Sequence, residues 1–261
     1  MAIVHTDLQL SRVSMQMEDG VAWITLRNPP LNVIDIPTMK ELALVLAQIE
    51  PEPEVVATVV SGDGKAFSAG ADVGDHTPAK VVEMLTEFHG LIRMLVATRK
   101  VTIAAVHGSC LGGAAELAMM CDLVYTSEDA QWGFPEIKLG CFPPVACAAL
   151  AALVGPKRAA ELVLTGRSFS GREAAEIGLA TQAVPGDPHS AVEDCVSELL
   201  QLSPAALAVT KKALYAWDSI HFDKGLARAE KIYFDDLMKT ADAHEGIRAF
   251  LEKRPAKWTG R

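Results

Sequence analysis

The sequence predicts an α/β protein, with a mixed sheet-and-helix core followed by a helical C-terminal part. Two observations predict it. Short runs rich in Val, Ile and Ala, such as "VAWITLR", "VVATVVSG" and "VTIAAVHG", alternate with longer stretches that carry apolar residues along one helical face. Past about His189 the strand pattern stops, and the chain reads helical as far as "FLEKR".

Taken in order, "VSMQMED" and "VAWITLR" flank Gly20 and read as a β-hairpin. "NPPLNVID" is an irregular loop. Asp35 then caps a helix with Pro37 in its first turn and Met39, Leu42, Leu46 and Ile49 on one face. The strand "VVATVVSG" enters the loop "DGKAFSAGADVGDH", and Thr77 and Pro78 mark the start of a longer helix reaching about Ala97. "VTIAAVHG" is a buried strand leading into "GSCLGGAAELAMMCD", a small-residue turn followed by a buried helix. "DLVYTS" and "AQWGF" are two more short strands. From about Val145 the chain reads as short helices punctuated by Gly155, Gly166, Gly171 and Gly178, with one strand, "LATQAV", among them. The apolar run "VACAALAALV" has 10 residues, too few to span a bilayer, and reads as a core helix. Pro204 stands at a further helix start.

Half of the 261 residues are apolar and 22% are charged, a globular composition in a chain long enough for a substantial core. The formal charge of −9 argues against nucleic acid or an anionic membrane as a partner. The start "MAIVHTDLQL" lacks the basic and apolar regions of a secretory signal. Five cysteines, an odd number without C-x-x-C spacing, fit reduced thiols and a cytoplasmic location. No H-E-x-x-H, P-loop or dinucleotide fingerprint is present, so neither a metal nor a nicotinamide is expected.

Three stretches carry the chemistry. In "AFSAGAD" a strand runs into a small-residue loop with sterically accessible backbone amides. In "CLGGAAE", Gly112 and Gly113 precede a helix whose first N–H groups lack partners and suit a developing oxyanion. In "WGFPEIKLG", Glu136 follows a proline among aromatic residues. Singly, each has a plain structural explanation: a turn, or a surface acid. Glu116 is different, because Ala114, Ala115, Leu117, Ala118, Met119 and Met120 leave its helix no polar face. A buried carboxylate needs compensation.

In this order, with the two glutamates twenty residues apart, the three stretches resemble the crotonase superfamily, also called the enoyl-CoA hydratase/isomerase family. The resemblance runs from "VAWITLRNPPLNVID" through "LTGRSFSGREAAEIGLATQAV" to "EGIRAFLEKRPAKW". It implies a spiral of β-β-α turns over residues 1–200, holding the coenzyme A site. A helical region over 201–261 would then pack on the core and on neighbouring subunits, in trimers commonly paired into hexamers. The implied partner is an acyl-CoA thioester, and coenzyme A arrives as part of the substrate, so no separate cofactor is implied.

By the same resemblance, the backbone N–H groups of Ala71 and Gly113 form the oxyanion hole. The main chain around Ala69 meets the adenine end of coenzyme A, and Gly70, Asp72, Gly112 and Phe142 belong to the binding surface. Glu116 positions and deprotonates water, and Glu136 delivers a proton to the α-carbon. Two pre-aimed amides stabilise charge on the thioester oxygen, each worth about 3 kcal/mol. Two carboxylates around one water cannot both ionise comfortably, so one keeps a proton for delivery. The buried acid is thus compensated by its partner, by water and by the helix terminus beside it.

Within the family, "GCFPPVACAAL" replaces the glycine-rich turn usual after the second glutamate. "PEIKLG-x-F", "ADVGDHTP" and "EGIRAFLEKR" together resemble the cyclohexa-1,5-diene-1-carbonyl-CoA hydratases of anaerobic benzoyl-CoA degradation. A stiff Phe142-Pro143-Pro144 segment with Trp132 and Phe134 nearby would suit a compact ring, and the same aromatics read equally as ordinary core. His76 is either an accessory polar group at the site or a loop histidine paired with Asp75. Lys65, Lys211 and the tail "KRPAKWTGR" are candidates for the coenzyme A phosphates, and each singly reads equally as solvated surface. The competing readings are a general enoyl-CoA hydratase or an enoyl-CoA isomerase of fatty-acid β-oxidation, an acyl-CoA hydrolase, and an RNA-binding protein of the same fold. The presence of both acids favours hydration, and a pI near 5.3 argues against RNA.

Overall fold

The computed structural model describes residues 10–216 and 218–259. The N-terminal stretch read for a leader, with His5, and the last residue of the basic tail, Arg261, lie outside the described residues. In chain order the strands are β1 (Val13–Glu18), β2 (Val21–Leu26), β3 (Ala57–Gly62), β4 (Val101–Val106), β5 (Ser109–Leu111), β6 (Leu123–Ser127), β7 (Gln131–Gly133), β8 (Ser168–Ser170) and β9 (Gln182–Val184). The helices are α1 (Ile36–Ile49), α2 (Val81–Ala97), α3 (Gly113–Met119), α4 (Pro144–Val154), α5 (Pro156–Thr165), α6 (Gly171–Glu176), α7 (His189–Leu199), α8 (Pro204–Leu214), α9 (Asp218–Asp235) and α10 (Ala241–Leu251).

The hairpin forms as expected. Asp19 and Gly20 take φ of +48° and +81°, the primed turn whose twist matches its strands, and β1 pairs with β2 in antiparallel register from Val13↔Leu26 to Glu18↔Val21. The Asp35 side chain accepts from Thr38 N and Pro37 lies in the first turn, which fixes the start of α1. β2, β3, β4, β6 and β9 then follow in parallel, giving a six-stranded sheet in the order β1-β2-β3-β4-β6-β9. A second sheet of three short strands runs β5-β7-β8.

The period-2 alternation of the strands sorts side chains onto two faces. Ala22, Ile24, Leu26, Val60, Ala104 and Val106 join the large core with α1 and α2. Val21, Ala57, Val59, Val101, Ile103, Ala105 and Tyr125 meet Val192 and Val196 of α7 on the opposite face. β4 is buried on both sides, so it reads as a continuous apolar run rather than an alternating one.

Three expectations need correcting. The helix expected from Thr77 and Pro78 begins at Val81: Val73–His76 forms a 3-10 turn first, capped by the Asp72 carboxylate on Gly74 N, and the Thr77 carbonyl accepts from Val81 N. The run "VACAALAALV" is helical but is not a core helix throughout. Val145, Ala146 and Leu150 are buried, whereas Cys147, Ala151, Ala152 and Leu153 face outward. Finally, β5 and β8 are strands where turns and short helices were expected; each has three residues, too short to show a period.

The C-terminal helices dock on the body of their own chain. Lys211 of α8 is buried and pairs with Asp122 at 2.7 Å, and its ammonium also donates to the Lys100 carbonyl at 2.9 Å. Helix α9 lies against α4 and α2. Its Glu230 accepts from Arg93 at 3.1 Å and pairs with Nδ1 of the fully buried His89 at 2.8 Å. None of the described helices is long and apolar enough to cross a membrane.

Candidate active site

The loop Ala66–Asp72 and the segment Gly108–Gly113 run side by side. Phe67 N donates to the His107 carbonyl at 2.8 Å, Ser68 N to the Ser109 carbonyl at 2.9 Å, and Leu111 N to the Ser68 carbonyl at 3.2 Å. The Asn32 amide braces the loop from behind, donating to the carbonyls of Asp63 and Ala66 at 2.8 Å each. Gly70 makes the approach possible: at φ +98° a Cβ there would lie 2.4 Å from the Leu111 carbonyl oxygen. Ala71 and Gly113 consequently become neighbours, and a Cβ on Gly113 would stand 3.4 Å from Ala71 N. Neither N–H finds a backbone acceptor among the described residues.

The same segment delivers the two acids. Leu111 of β5 pairs with Gly133 of β7, and Gly112 N extends the pairing by donating to the Gly133 carbonyl at 2.9 Å. Helix α3 starts immediately after Gly112, which puts Glu116 one turn in. Three residues past Gly133, a 3-10 turn over Pro135–Leu139 carries Glu136. One short parallel pairing thereby brings together two residues that are twenty apart in sequence. Gly112, at φ +53° and ψ −125°, leaves room for the second acid: a Cβ there would lie 2.6 Å from Glu136 Oε1.

Glu116 is 3% exposed. Helix α4 has no side-chain cap, since Pro143 occupies its N-cap, and the Glu116 carboxylate takes that role from α3. Its Oε1 accepts from Ala146 N at 2.9 Å, and Val145 N also bonds to the carboxylate. Burial outweighs these bonds and pushes the Glu116 carboxyl up to about 7. Glu136 draws on its own main-chain N–H alone among the described residues. Its carboxyl end is enclosed, Oε2 is buried without a partner, and burial together with the Glu116 charge holds it well above the ordinary carboxylate range. Of the two, Glu136 is the one whose surroundings favour keeping a proton, and Glu116 is the one with donors for its ionised form. The pair is an acid beside a base.

Both acids line one cavity of about 20 Å³ with Ala71, Gly113, His76, Met84, Leu85, Phe88, Phe142, Pro143, Pro144 and Tyr233. That volume holds about one water molecule. His76 is half-buried, and its Nδ1 lies 2.9 Å from the Asp72 carbonyl. A carbonyl only accepts, so Nδ1 carries the hydrogen and Nε2 is left as an acceptor. Burial lowers the His76 pKa against the opposing effects of the Asp72 carbonyl and the Asp75 charge, which keeps the ring neutral near pH 7.

The structure thus brings Ala71, Gly113, Glu116, Glu136, Phe142 and His76 to one place, with Gly70 and Gly112 behind them. Other expected residues lie outside the lining of this cavity. Ala69 N is occupied by the Leu31 carbonyl at 2.9 Å, and the Asp72 side chain caps its own turn. His76 is not paired with Asp75; that carboxylate is taken by Lys80 at 2.8 Å and by Ile36 N. Trp132 and Phe134 are fully buried outside the cavity, and the Trp132 indole donates to Thr126 Oγ1 at 3.0 Å, so they are core. Lys211 is excluded as a phosphate ligand by its buried ion pair, and Arg254 of the tail is tied to Glu245 at 2.6 Å. Lys65 is exposed. Sequence reasoning missed Tyr233 and the α4 amides. Phe222, Leu226, Ala229 and Tyr233 are spaced as an ordinary core stripe, and backbone amides leave no mark in a sequence.

The family model described as enoyl-CoA hydratase/isomerase matches residues 16–261. A cyclohexa-1,5-dienecarbonyl-CoA hydratase of Thauera aromatica is 32% identical over 251 residues, covering 96% of this chain and 97% of that protein. A short-chain-enoyl-CoA hydratase of Clostridium acetobutylicum is 32% identical over 255 residues, covering 95% and 97%. The crystal structure of an enoyl-CoA hydratase from Mycobacterium avium subsp. paratuberculosis superposes with a TM-score of 0.86 at 29% identity, over 96% of this chain and 99% of that one.

Proposed function

The chain belongs to the enoyl-CoA hydratase/isomerase family, and from that premise we infer that it hydrates a cyclic dienoyl-CoA thioester, cyclohexa-1,5-diene-1-carbonyl-CoA being the best match. The activity at the coarser level is that of an enoyl-CoA hydratase, a hydro-lyase. The observation that carries the reading is the pair of carboxyl groups, Glu116 and Glu136, on a single cavity of water size.

In this reading the thioester oxygen lies against the free N–H groups of Ala71 and Gly113. These stabilise the negative charge that collects there as water attacks the conjugated C=C bond. Glu116 takes a proton from the water as its oxygen bonds to the β-carbon. The π electrons form the new C–H bond at the α-carbon with the proton held by Glu136. Ala146 N keeps Glu116 oriented throughout. The proton taken and the proton given balance, so the chemistry needs no cofactor beyond the coenzyme A of the substrate.

Support for a ring over a linear chain comes from the walls. Phe142, Pro143 and Pro144 are stiff, and the Phe142 ring packs edge-on against Tyr233 with centroids 5.1 Å apart. An isomerase or a hydrolase has less support, because both acids face the cavity. The working assembly is expected to be a trimer or hexamer, in which Leu153, Val209 and Leu214, exposed on α4 and α8, are surfaces for neighbours to cover.

The test is turnover of cyclohexa-1,5-diene-1-carbonyl-CoA beside crotonyl-CoA, followed by product mass. Gain of one water by the ring compound, with slow reaction of the linear one, is the expected result. Preference for crotonyl-CoA moves the chain to the linear hydratases, and free coenzyme A marks a hydrolase.

A further inference from the structure

Helix α9 brings one more polar group to the acyl cavity. Its face of Phe222, Leu226, Ala229 and Tyr233 packs inward, and Tyr233 is 1% exposed. The ring edge of Tyr233 meets Phe142, and the residue lines the same small cavity as Glu116, Glu136 and His76. Among the described residues its hydroxyl is buried without an oxygen or nitrogen partner, as is Oε2 of Glu136. The hydroxyl's one contact of this kind is a weak one with the Cys141 sulfur, which already gives its own hydrogen to the Leu139 carbonyl at 3.7 Å and is a poor acceptor.

A buried hydroxyl left unmade costs about 1–3 kcal/mol, so native interiors seldom keep one without a reason. Here the two residues that carry such atoms line one cavity sized for a single water. Packing alone does not account for the phenol, since phenylalanine would fill the same space without the penalty. A polar ligand in the cavity accounts for both atoms.

We propose that the Tyr233 hydroxyl is a hydrogen-bonding residue of the hydration site, holding the oxygen atom that is added to or removed from the acyl group. The inference rests on the hydratase reading above and extends it to the C-terminal region. The phenol keeps its proton throughout: burial, the largest cause, raises its pKa above the ordinary value. It therefore acts as a donor to the water oxygen, and in the reverse direction to the departing hydroxyl, while Glu116 remains the only base. Because the group sits on α9, residues of the 201–261 region complete the site from within the same chain. The anchoring of α9 by Glu230 to His89 and Arg93 of α2 sets where that hydroxyl stands.

The experiment is Tyr233→Phe in the full chain, assayed for hydration of the best enoyl-CoA substrate and melted in parallel. The ring contact with Phe142 is retained, so melting should be unchanged or slightly raised. The expected kinetic result is a fall in kcat of about tenfold or more with KM held within about threefold, the pattern of a contact to the reacting atoms. A variant with parental kcat, or one changed in KM alone, overturns the inference and makes Tyr233 a wall. Failure of the parent chain to hydrate any enoyl-CoA removes the hydratase reading and this inference with it. Parental kcat in the variant of an active enzyme removes this inference alone.

Discussion

The main-chain N–H of Ala146 donates to Oε1 of Glu116 at 2.9 Å, so the acid of one helix caps the start of another. Glu136 receives no comparable donor, and this asymmetry divides their labour. Glu116→Gln and Glu136→Gln should each fold, since an amide oxygen still accepts from Ala146 N and a neutral side chain suits the Glu136 site. Each should lower kcat by about 10²–10⁴-fold, the range of a lost general acid or base. Circular dichroism and steady-state hydration check both halves of the expectation, and near-parental turnover in either variant contradicts its role.

Protonation of the pair sets the pH profile. Glu116 must be ionised to take a proton, so kcat/KM should rise with a midpoint at about 7, and it should fall again where Glu136 loses its proton. Stability moves the other way. The folded chain holds this proton more tightly than the unfolded one, with Glu116 raised from 4.5 to about 7. The stability it lends is complete below the unfolded value and is lost as pH climbs through the folded one. The loss across that window is on the order of 3 kcal/mol, at about 1.4 kcal/mol per unit. Glu116→Gln should flatten that stretch of a melting-versus-pH curve, and an unchanged slope counts against the assignment.

Gly112→Ala tests the approach of the two segments. The substitution forces a Cβ to 2.6 Å from Glu136 Oε1 at a backbone conformation open essentially to glycine alone. A stability cost of about 1–3 kcal/mol is expected from the backbone. A loss of about 100-fold in kcat is expected from displacing the acid by around an ångström. Chemical denaturation and kinetics separate the two. Unchanged kcat would mean that Glu136 tolerates the shift and is not held to a single position.

Phe142→Ala probes the ring pocket. Removing the ring that packs edge-on with Tyr233 opens the cavity toward longer and thinner acyl groups. The ratio of kcat/KM for the cyclic dienoyl thioester over crotonyl-CoA should drop by about tenfold, in the range of one mismatched pocket contact. A constant ratio removes Phe142 from the account of specificity.

Much of this was legible in the chain because it is written in local chemistry. The hairpin follows from Asp19-Gly20 between alternating strands, and α1 from Asp35 and Pro37. Glu116 was recognisable as buried because its helix has no polar face. What escaped depends on long-range pairing or on groups without a sequence signature. β5 and β8 are three residues each and exist only because β7 lies between them. The α4 amides that hold Glu116 belong to every residue type, and Tyr233 sits in a stripe indistinguishable from core. Trp132 and Phe134 were open to a pocket or a core reading from their closeness in sequence to Glu136, and the strand alternation and the turn after it send them into the interior.

The resting interior between the two acids has the size of its smaller reactant alone. A six-carbon acyl group is several times larger than one water, so loading it obliges the Phe142 ring to move off the anchored Tyr233. The work of that displacement has to come from contacts remote from the double bond, which the nucleotide end of the thioester is able to make. Shortened thioesters carrying the same acyl group should accordingly react slowly even at saturation, because they lack the grip that wedges the aromatic pair apart.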